Sequence, residues 1–558
     1  MSPLKSRKER PWWRDAVTYQ IYPRSYADSN GDGIGDVEGI RSRLPYLKQL
    51  GIDAIWISPW YPSPQHDHGY DVADYMDIEP DYGTLAQAET LIKEASDLGI
   101  KLIVDIVPNH TSSDHKWFQA ALKAGPGSPE RDRYMFRDGK GPNGDLPPNN
   151  WEAVFGGCAW ERVIEADGKP GQWYLHLFAV EQPDLNWENP EVVAHLEDVL
   201  KFWLDRGVAG FRIDVAHGLF KEAGLPDIRK DPAASMLGTE HKPFWDQEGV
   251  HDVYRAWRKI LDSYPGDRMA VAEAWVSPSE RIARYVRSDE LQNSFNFEML
   301  TTLWDAKEIK TKINNSIDAL EEVGAPTSWV FNNHDVVRSV DRLDLGLTNH
   351  GDTTLSRQGD PKKLNIARGT LRARSAALMT LALPGGTYLY QGEELAVPEV
   401  RDIPEDRLTD PRWKMSGFSD RGRDGCRVPM PWTSNSAGAF GFSTNASLKP
   451  EQAWLPQSSW WGTYAVDTQD GVEGSTLSMY RKALAIRKGE EGLGDGPMEW
   501  IEAGKDVVAF ERPGDFACYI NFGAPIELPS NSQVLVSSGP ITGHTLPTDT
   551  AVWVRLVS

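Results

Sequence analysis

Eight short runs of Val, Ile and aromatic residues, each separated from the next by a longer amphipathic stretch, restrict this chain to few architectures. They are Ala16 to Tyr22 (AVTYQIY), Ala54 to Ser58 (AIWIS), Leu102 to Val107 (LIVDIV), Gly210 to Val215 (GFRIDV), Met269 to Trp275 (MAVAEAW), Ser294 to Phe297 (SFNF), Trp329 to Asn332 (WVFN) and Thr387 to Gln391 (TYLYQ). Short apolar runs bounded by turn signals read as buried strands, and long intervening helical patterns argue for a parallel sheet. Such patterns lie at Gly39 to Leu50, Pro190 to Arg206 and Ala367 to Leu383, several ending at or near a Gly. Eight alternating units predict an α/β fold, a (β/α)8 TIM barrel, whose catalytic groups sit at the carboxyl ends of the strands.

Two intervals are too long for this rhythm. The stretch from His110 to about Glu181, with its PPNNWEAVFGG passage, reads as a subdomain inserted after the third strand. A second insertion, about 397–463, follows the eighth strand. Beyond the helical pattern at Ser475 to Lys488 come short alternating segments, Val507 to Phe510, Ala517 to Asn521 and Val552 to Leu556, which predict a C-terminal all-β domain. The expected division is barrel at 1–110, inserted subdomain at 111–181, barrel again at 182–488 and β domain at 489–558.

Acidic residues within apolar strands are costly, because a buried unpaired carboxylate must be compensated or neutralised. Here four stand at strand ends expected on one face: Asp105 in IVDIVPNH, Asp214 in GFRIDV, Glu273 in AVAEAW and Asp335 in FNNHD. Glycoside hydrolysis uses one carboxyl group to protonate the leaving oxygen and a second to attack or support the anomeric carbon. Arg212, two residues before Asp214 on the same strand face, would keep a nucleophile ionised. Ala272, Ala274 and Trp275 would give Glu273 a less polar setting suited to a proton donor. His110 and His334 could donate to sugar hydroxyls, and Phe155 could form an apolar wall in the inserted subdomain. No HExxH or CxxC spacing marks a catalytic metal.

A net charge of −22 argues against nucleic acid or an anionic membrane as partner. The 22 Trp and 18 Tyr residues suit stacking on sugar faces as well as core packing. Three scattered cysteines fit a reducing compartment, and no run of 18 apolar residues is present, so a cytoplasmic protein without a membrane segment is expected. Monomer and homodimer are both compatible with the sequence.

The motifs DIVPNH (105–110), QPDLNW (182–187), GFRIDV (210–215), VAEAW with Glu273, and FNNHD (331–335) together resemble glycoside hydrolase family 13, the α-amylase family. The resemblance spans nearly the whole chain and points to its exo-acting α-glucosidase, oligo-1,6-glucosidase and trehalose synthase branch. It implies Asp214 as nucleophile, Glu273 as general acid/base and Asp335 as the carboxylate binding the 2- and 3-hydroxyls. It further implies His110, Arg212 and His334 as ligands around the first glucose and Tyr70 as a stacking platform. Asp67 with an Arg of GRDGCRVPMPW, Arg427 or alternatively Arg423, resembles the ion pair that closes the pocket behind a terminal glucose. One of Glu393 and Glu394 would contact the second sugar. Val215, directly after the nucleophile, accompanies α-1,6 activity in relatives, while AHGLF beyond it departs from their usual continuation.

The segment DSNGDGIGD places oxygen ligands at alternate positions, as in the first part of an EF-hand loop. Asp28, Asn30, Asp32, the Ile34 carbonyl and Asp36 would hold a structural Ca2+, with Mg2+ as the alternative, and the resembling branch carries such an ion here. No organic cofactor is expected. The expected activity is release of terminal α-glucosyl residues from small oligosaccharides or glucosides, with transglucosylation as a side activity. The rivals are an α-glucosyl transferase or isomerase, of trehalose synthase or sucrose isomerase type, and a non-catalytic carbohydrate-binding or transport-associated relative.

Overall fold

A computed structural model describes residues 9–229, 242–347 and 359–557 of the chain. All eight expected strands are present: Val17–Ile21, Ala54–Ile57, Lys101–Ile106, Gly210–Ile213, Met269–Ala272, Asn293–Ser294, Ser328–Val330 and Gly386–Tyr390. They pair in parallel, each with its neighbour in sequence, and the first also pairs with the eighth through Val17 and Thr387. The sixth strand is only two residues long, and a single parallel bridge, Asn296 with Trp329, joins it to the seventh. The barrel therefore closes with one thin seam.

Alternation of side chains sorts the strands into two buried faces. Ala54, Trp56, Ile103, Met269, Val271, Val330 and Tyr388 pack together inside the barrel. Ile55, Ile57, Leu102, Val104, Phe211, Ile213, Ala270 and Ala272 join the large core beneath the surrounding helices. The same parity turns Asp105, Arg212, Asp214 and Glu273 inward. Register does the rest, because Asp105 pairs with Arg212 and Ile213 with Ala272.

The outer helices start and stop on local signals. Leu85–Asp97 opens with a capping box of Thr84 and Gln87, and Pro190–Asp205 follows an Asn189 cap with Pro at its first position. The single helix expected over Gly39 to Leu50 is two, Val37–Ser42 and Leu44–Leu50. Pro45 explains the break, since it lacks an N–H and its ring crowds the carbonyl four residues back. Gly51, with φ 95°, ends the second helix in the left-handed region.

Between the third and fourth strands, Phe136–Arg137, Trp160–Ile164 and Pro170–Leu175 form a small antiparallel sheet in the inserted segment. After the last barrel helix, five antiparallel strands between Glu499 and Leu556 make the C-terminal sheet. It docks on helix Ile366–Ala382, where Trp553 Nε1 donates to the Leu378 carbonyl at 2.9 Å.

The fourth strand tolerates no extra atom at its start. A Cβ on Gly210 would lie 2.2 Å from the Met269 carbonyl oxygen of the fifth strand, so Gly210→Ala must separate the two strands that carry Asp214 and Glu273. We expect this substitution to lower stability by at least about 2 kcal/mol, read as a fall in Tm by calorimetry. An unchanged Tm would contradict the packing described.

Candidate active site

Three carboxylates share one guanidinium at the carboxyl ends of the third, fourth and fifth strands. Arg212 Nη1 donates to Asp105 Oδ1 at 3.0 Å and to Asp214 Oδ1 at 2.5 Å, while Nη2 lies 2.6 Å from Glu273 Oε2. All four side chains are buried. The Arg212 guanidinium also lies over Trp56, at 5.1 Å from its ring centre. Asp105 is further held by Trp56 Nε1 at 3.1 Å and the Tyr70 hydroxyl at 3.2 Å.

One positive charge is shared among three buried carboxyls. Burial, then Glu273 and Asp105, raise the Asp214 carboxyl well above its ordinary range against the pull of Arg212. Burial likewise pushes Asp105 up to about 7, despite Arg212. Arg212 is thus shared by three buried carboxyls and is not reserved for Asp214. The apolar setting expected for Glu273 is also absent. It accepts from Arg212, from the Val215 amide at 3.1 Å and from Trp275 Nε1 at 3.3 Å.

Val215 is a β-branched residue at φ 43°, a conformation that such side chains avoid. Its amide meets Glu273 as a result. The strain sits directly after the proposed nucleophile, where strained backbone commonly serves function.

Asp335 stands at the more open side of the site, with a side-chain exposure of 24%. Its Oδ1 lies 3.0 Å from both Arg423 Nη1 and Arg427 Nη2, and its Oδ2 lies 3.3 Å from His334 Nε2. Burial opposes its charge, but His334, Arg423 and Arg427 outweigh burial and hold the carboxyl below its usual range. His334 stacks on Tyr70 with ring centres 5.1 Å apart and planes 4° from parallel. Tyr70 is therefore a rigid face, as a stacking platform requires. Burial lowers the His110 imidazole to about 4, and burial with Arg427, Arg212 and Arg423 takes His334 well below its ordinary value, so both are neutral near pH 7.

The partner of Asp67 is Arg423, with Nη2 2.7 Å from Oδ1, and not Arg427. Arg427 turns instead to Asp335, to the His334 carbonyl at 2.8 Å and to His68 Nδ1 at 2.9 Å. The 3-10 turn Asp424–Cys426 lies between the two arginines and points them to different neighbours. Sequence reasoning missed Asp410, which anchors Arg423 through Nε at 2.6 Å and through its backbone amide at 2.8 Å. Its only sequence signal was that of a helix cap in TDPRW, a role it also fills by accepting from the Arg412 amide. Gln182 of QPDLNW was not assigned either; its Nε2 lies 3.2 Å from Asp67 Oδ2 and 3.1 Å from His110 Nε2.

Phe155 packs edge-on against Phe178 beside Arg423 and Arg412, and it shares an apolar cluster with Val215 and Trp245. The expectation for Glu393 and Glu394 is overturned. Glu394 is buried and accepts from the Tyr19 and Tyr46 hydroxyls at 2.7 Å each, and Glu393 accepts from the Tyr390 amide and the Tyr480 hydroxyl. Both carboxylates are consumed in joining the barrel to its helices.

In the loop after the first strand, Asp28 accepts from the Gly31 and Gly33 amides at 2.6 and 2.8 Å, and Asp36 caps the helix Val37–Ser42. Asn30 and Asp32 accept from amides two residues on. Among the described residues no group of three or more His, Cys, Asp or Glu converges as a metal centre. The loop's donor set is nevertheless all oxygen and includes an amide and a carbonyl, which suits Ca2+. Burial, and then Asp28 and Asp36, raise the Asp32 carboxyl, a repulsion that a bound cation would relieve.

Residues 20–496 match the family profile described as Alpha amylase, catalytic domain. The chain is 37% identical to an oligo-1,6-glucosidase of Parageobacillus thermoglucosidasius over 511 residues, covering 86% of this chain and 84% of that one. It is 33% identical to Maltase A2 of Drosophila melanogaster, covering 93% and 87%. Among solved structures, an α-glucosyl transfer enzyme superposes with a TM-score of 0.84 at 33% identity, covering 98% of this chain and 99% of the other.

A double-mutant cycle on kcat/KM separates the two arginines. Asp67→Asn and Arg423→Gln should couple by about 1.5 kcal/mol or more, and Asp67→Asn with Arg427→Gln by clearly less. Additivity in the first pair would remove the ion pair from the site.

Proposed function

The chain belongs to the α-amylase family, and from that premise we propose how its residues divide the work of a retaining, exo-acting α-glucosidase. Asp214 is the nucleophile, Glu273 the general acid/base and Asp335 the ligand of the ring hydroxyls. The observation that carries this reading is Arg212 bridging Asp214 and Glu273 at 2.5 and 2.6 Å, on the floor of a site bounded by Tyr70, His334 and Asp335.

In the first half-reaction Glu273, as general acid, passes a proton to the glycosidic oxygen. The bond from that oxygen to the anomeric carbon breaks as an Asp214 oxygen forms its own bond to that carbon. In the second half a water gives a proton to Glu273, its oxygen attacks the same carbon, and the ester to Asp214 opens. Two inversions give net retention. Asp335, held ionised by two arginines, is suited to accept from two adjacent hydroxyls as the ring flattens. Tyr70 offers its face to the sugar, and neutral His110 and His334 can donate to hydroxyls without adding charge.

The exo-action follows from Asp67, Arg423 and Asp410, whose charges close one end of the pocket. A chain extended beyond the non-reducing glucose would have to bury against them unpaired. The substrate is a small glycoside. The relatives' names divide between 1,6 linkages and maltose, and Val215 favours the former by resemblance, so product analysis is the deciding measurement. Among the described residues no helix is long and apolar enough to cross a membrane.

We also assign a structural Ca2+ to Asp28, Asn30, Asp32, the Ile34 carbonyl and Asp36. Bound there, it would offset two of the three charges of Asp28, Asp32 and Asp36 in the first βα loop and brace the barrel without taking part in the reaction.

Incubation with maltose, isomaltose, sucrose and trehalose should yield free glucose as the main early product, initially as the α anomer. A dominant disaccharide isomer would indicate an isomerase instead, and β-glucose would refute retention. Asp214→Asn and Glu273→Gln should each lower kcat by about a thousandfold or more, and near-normal turnover in either would sink the mechanism. Removal of Ca2+ by EDTA should lower Tm by several degrees, with recovery on adding Ca2+; superimposable melting curves from metal-free and Ca2+-loaded protein would refute the metal assignment.

A further inference from the structure

One ring nitrogen of His334 faces Asp335, and the other faces Gln20 of the first strand. Gln20 pairs in register with Trp56, whose ring lies inside the barrel, so the Gln20 side chain turns into the same interior and is buried there. Its Nε2 lies 2.7 Å from His334 Nδ1 and 3.1 Å from Ser58 Oγ, while its Oε1 is buried without a partner.

A neutral imidazole carries one hydrogen, and what each nitrogen faces decides where. Nε2 lies 3.3 Å from Asp335 Oδ2, and His334, Arg423 and Arg427 hold that carboxyl below its usual range, in its ionised form. A hydrogen on Nε2 therefore meets an acceptor, whereas a lone pair there would meet another lone pair. Nδ1 must then accept, and the Gln20 amide supplies the donor. The orientation of that amide follows from the same count. As placed, both of its N–H groups are used, on Nδ1 and on Ser58 Oγ, and one oxygen is left over. Reversed, it would leave two buried N–H groups unpaired, require the hydrogen on Nδ1 and turn the Nε2 lone pair toward Asp335.

We propose that Gln20 is a positioning residue that holds His334 as the Nε2–H tautomer, so that the ring donates to the hydroxyls bound by Asp335. Stacking on Tyr70 at 5.1 Å and on Tyr22 at 5.6 Å fixes the plane of the ring, and the Gln20 amide fixes its hydrogen. A donor against Nδ1 also opposes a second hydrogen there. The surroundings act in the same sense: burial disfavours an imidazolium, Arg427, Arg212 and Arg423 add to that, and Asp335 alone favours it. The ring is thereby kept a neutral donor that binds a hydroxyl without drawing charge from Asp335. The unpaired Oε1 is the cost of presenting an N–H at this point, and a buried acceptor left unpaired requires such a reason. The functional half of the assignment rests on the proposed reading of Asp335 and His334 as ligands of the sugar ring, whereas the tautomer is measured without substrate.

Nuclear magnetic resonance of the full chain with isotope-labelled histidine tests it, because a ring nitrogen bearing hydrogen and one with a free lone pair resonate far apart. In the wild type the His334 signals, identified by their loss in His334→Asn, should place the hydrogen on Nε2. Gln20→Met, close in volume and lacking the donor, should mix the two tautomers and lower kcat/KM for the disaccharide hydrolysed fastest by about tenfold, mainly through kcat. His334→Asn removes the Nε2 donor, so adding Gln20→Met to it should cause no further loss, whereas a merely structural Gln20 would give additive losses. A hydrogen on Nδ1 in the wild type, an unshifted spectrum with unchanged kcat/KM in Gln20→Met, or additivity in the double variant would each overturn the proposal. If Gln20→Met folds poorly, the wild-type spectrum still decides. Should none of the disaccharides release glucose while the hydrogen lies on Nε2, the reading of the site fails and the assignment of Gln20 stands.

Discussion

The site depends on the sharing of one buried guanidinium by three buried carboxylates. Arg212 holds Asp105, Asp214 and Glu273 within 3.0 Å of its terminal nitrogens. Removing one member of a buried ionic cluster typically costs about 3 to 5 kcal/mol, because the partners remain buried with their charge uncompensated. The barrel is what makes the arrangement tolerable. Strand pairing continues past the strand ends, from the Asp214 amide to the Ile106 carbonyl at 2.8 Å and from the Glu273 amide to the Ile213 carbonyl at 2.9 Å. The strand ladder therefore fixes the backbone that carries these charges.

A second charge network, built from the long segment after the eighth strand, determines the pocket's shape. Asp410 fixes Arg423, which reaches both Asp67 from the second βα loop and Asp335 from the seventh. Three loops far apart in sequence are thereby joined at one guanidinium. The two networks have different electrostatic outcomes. Around Arg212 carboxylates outnumber guanidiniums, and burial with the neighbouring acids raises the Asp214 carboxyl; around Asp335 His334 and two arginines hold the carboxyl below its usual range. Opposite shifts in neighbouring acids are the usual means by which one pocket holds both a proton donor and fixed charges.

Much of this was legible in the chain. Eight apolar runs become eight strands, and the motif carboxylates Asp214, Glu273 and Asp335 come together with Asp105, Arg212, His110, His334 and Tyr70. Period-two alternation explains why: a residue's parity in a buried strand decides whether it faces the barrel interior. Legibility fell where local pattern stopped governing position. Arg423 and Arg427 lie four residues apart in an irregular segment, and a 3-10 turn decides which of them meets Asp67. Glu393 and Glu394 looked like site residues because they follow a strand, yet Tyr19, Tyr46 and Tyr480 bind them as structural acids. Asp410 carried only the signature of a helix cap.

The sequence by itself determined the barrel, its inserted and C-terminal modules, and the acids and bases at the strand ends, because strand periodicity and chain order are local properties. Tertiary structure alone decided which arginine pairs with Asp67, that Glu273 sits among donors, and that Asp214 shares its guanidinium with two other acids. Those outcomes depend on long-range Coulomb interactions in a desolvated interior, where a shift of a few ångströms changes the partner of a charge and with it the proton it carries.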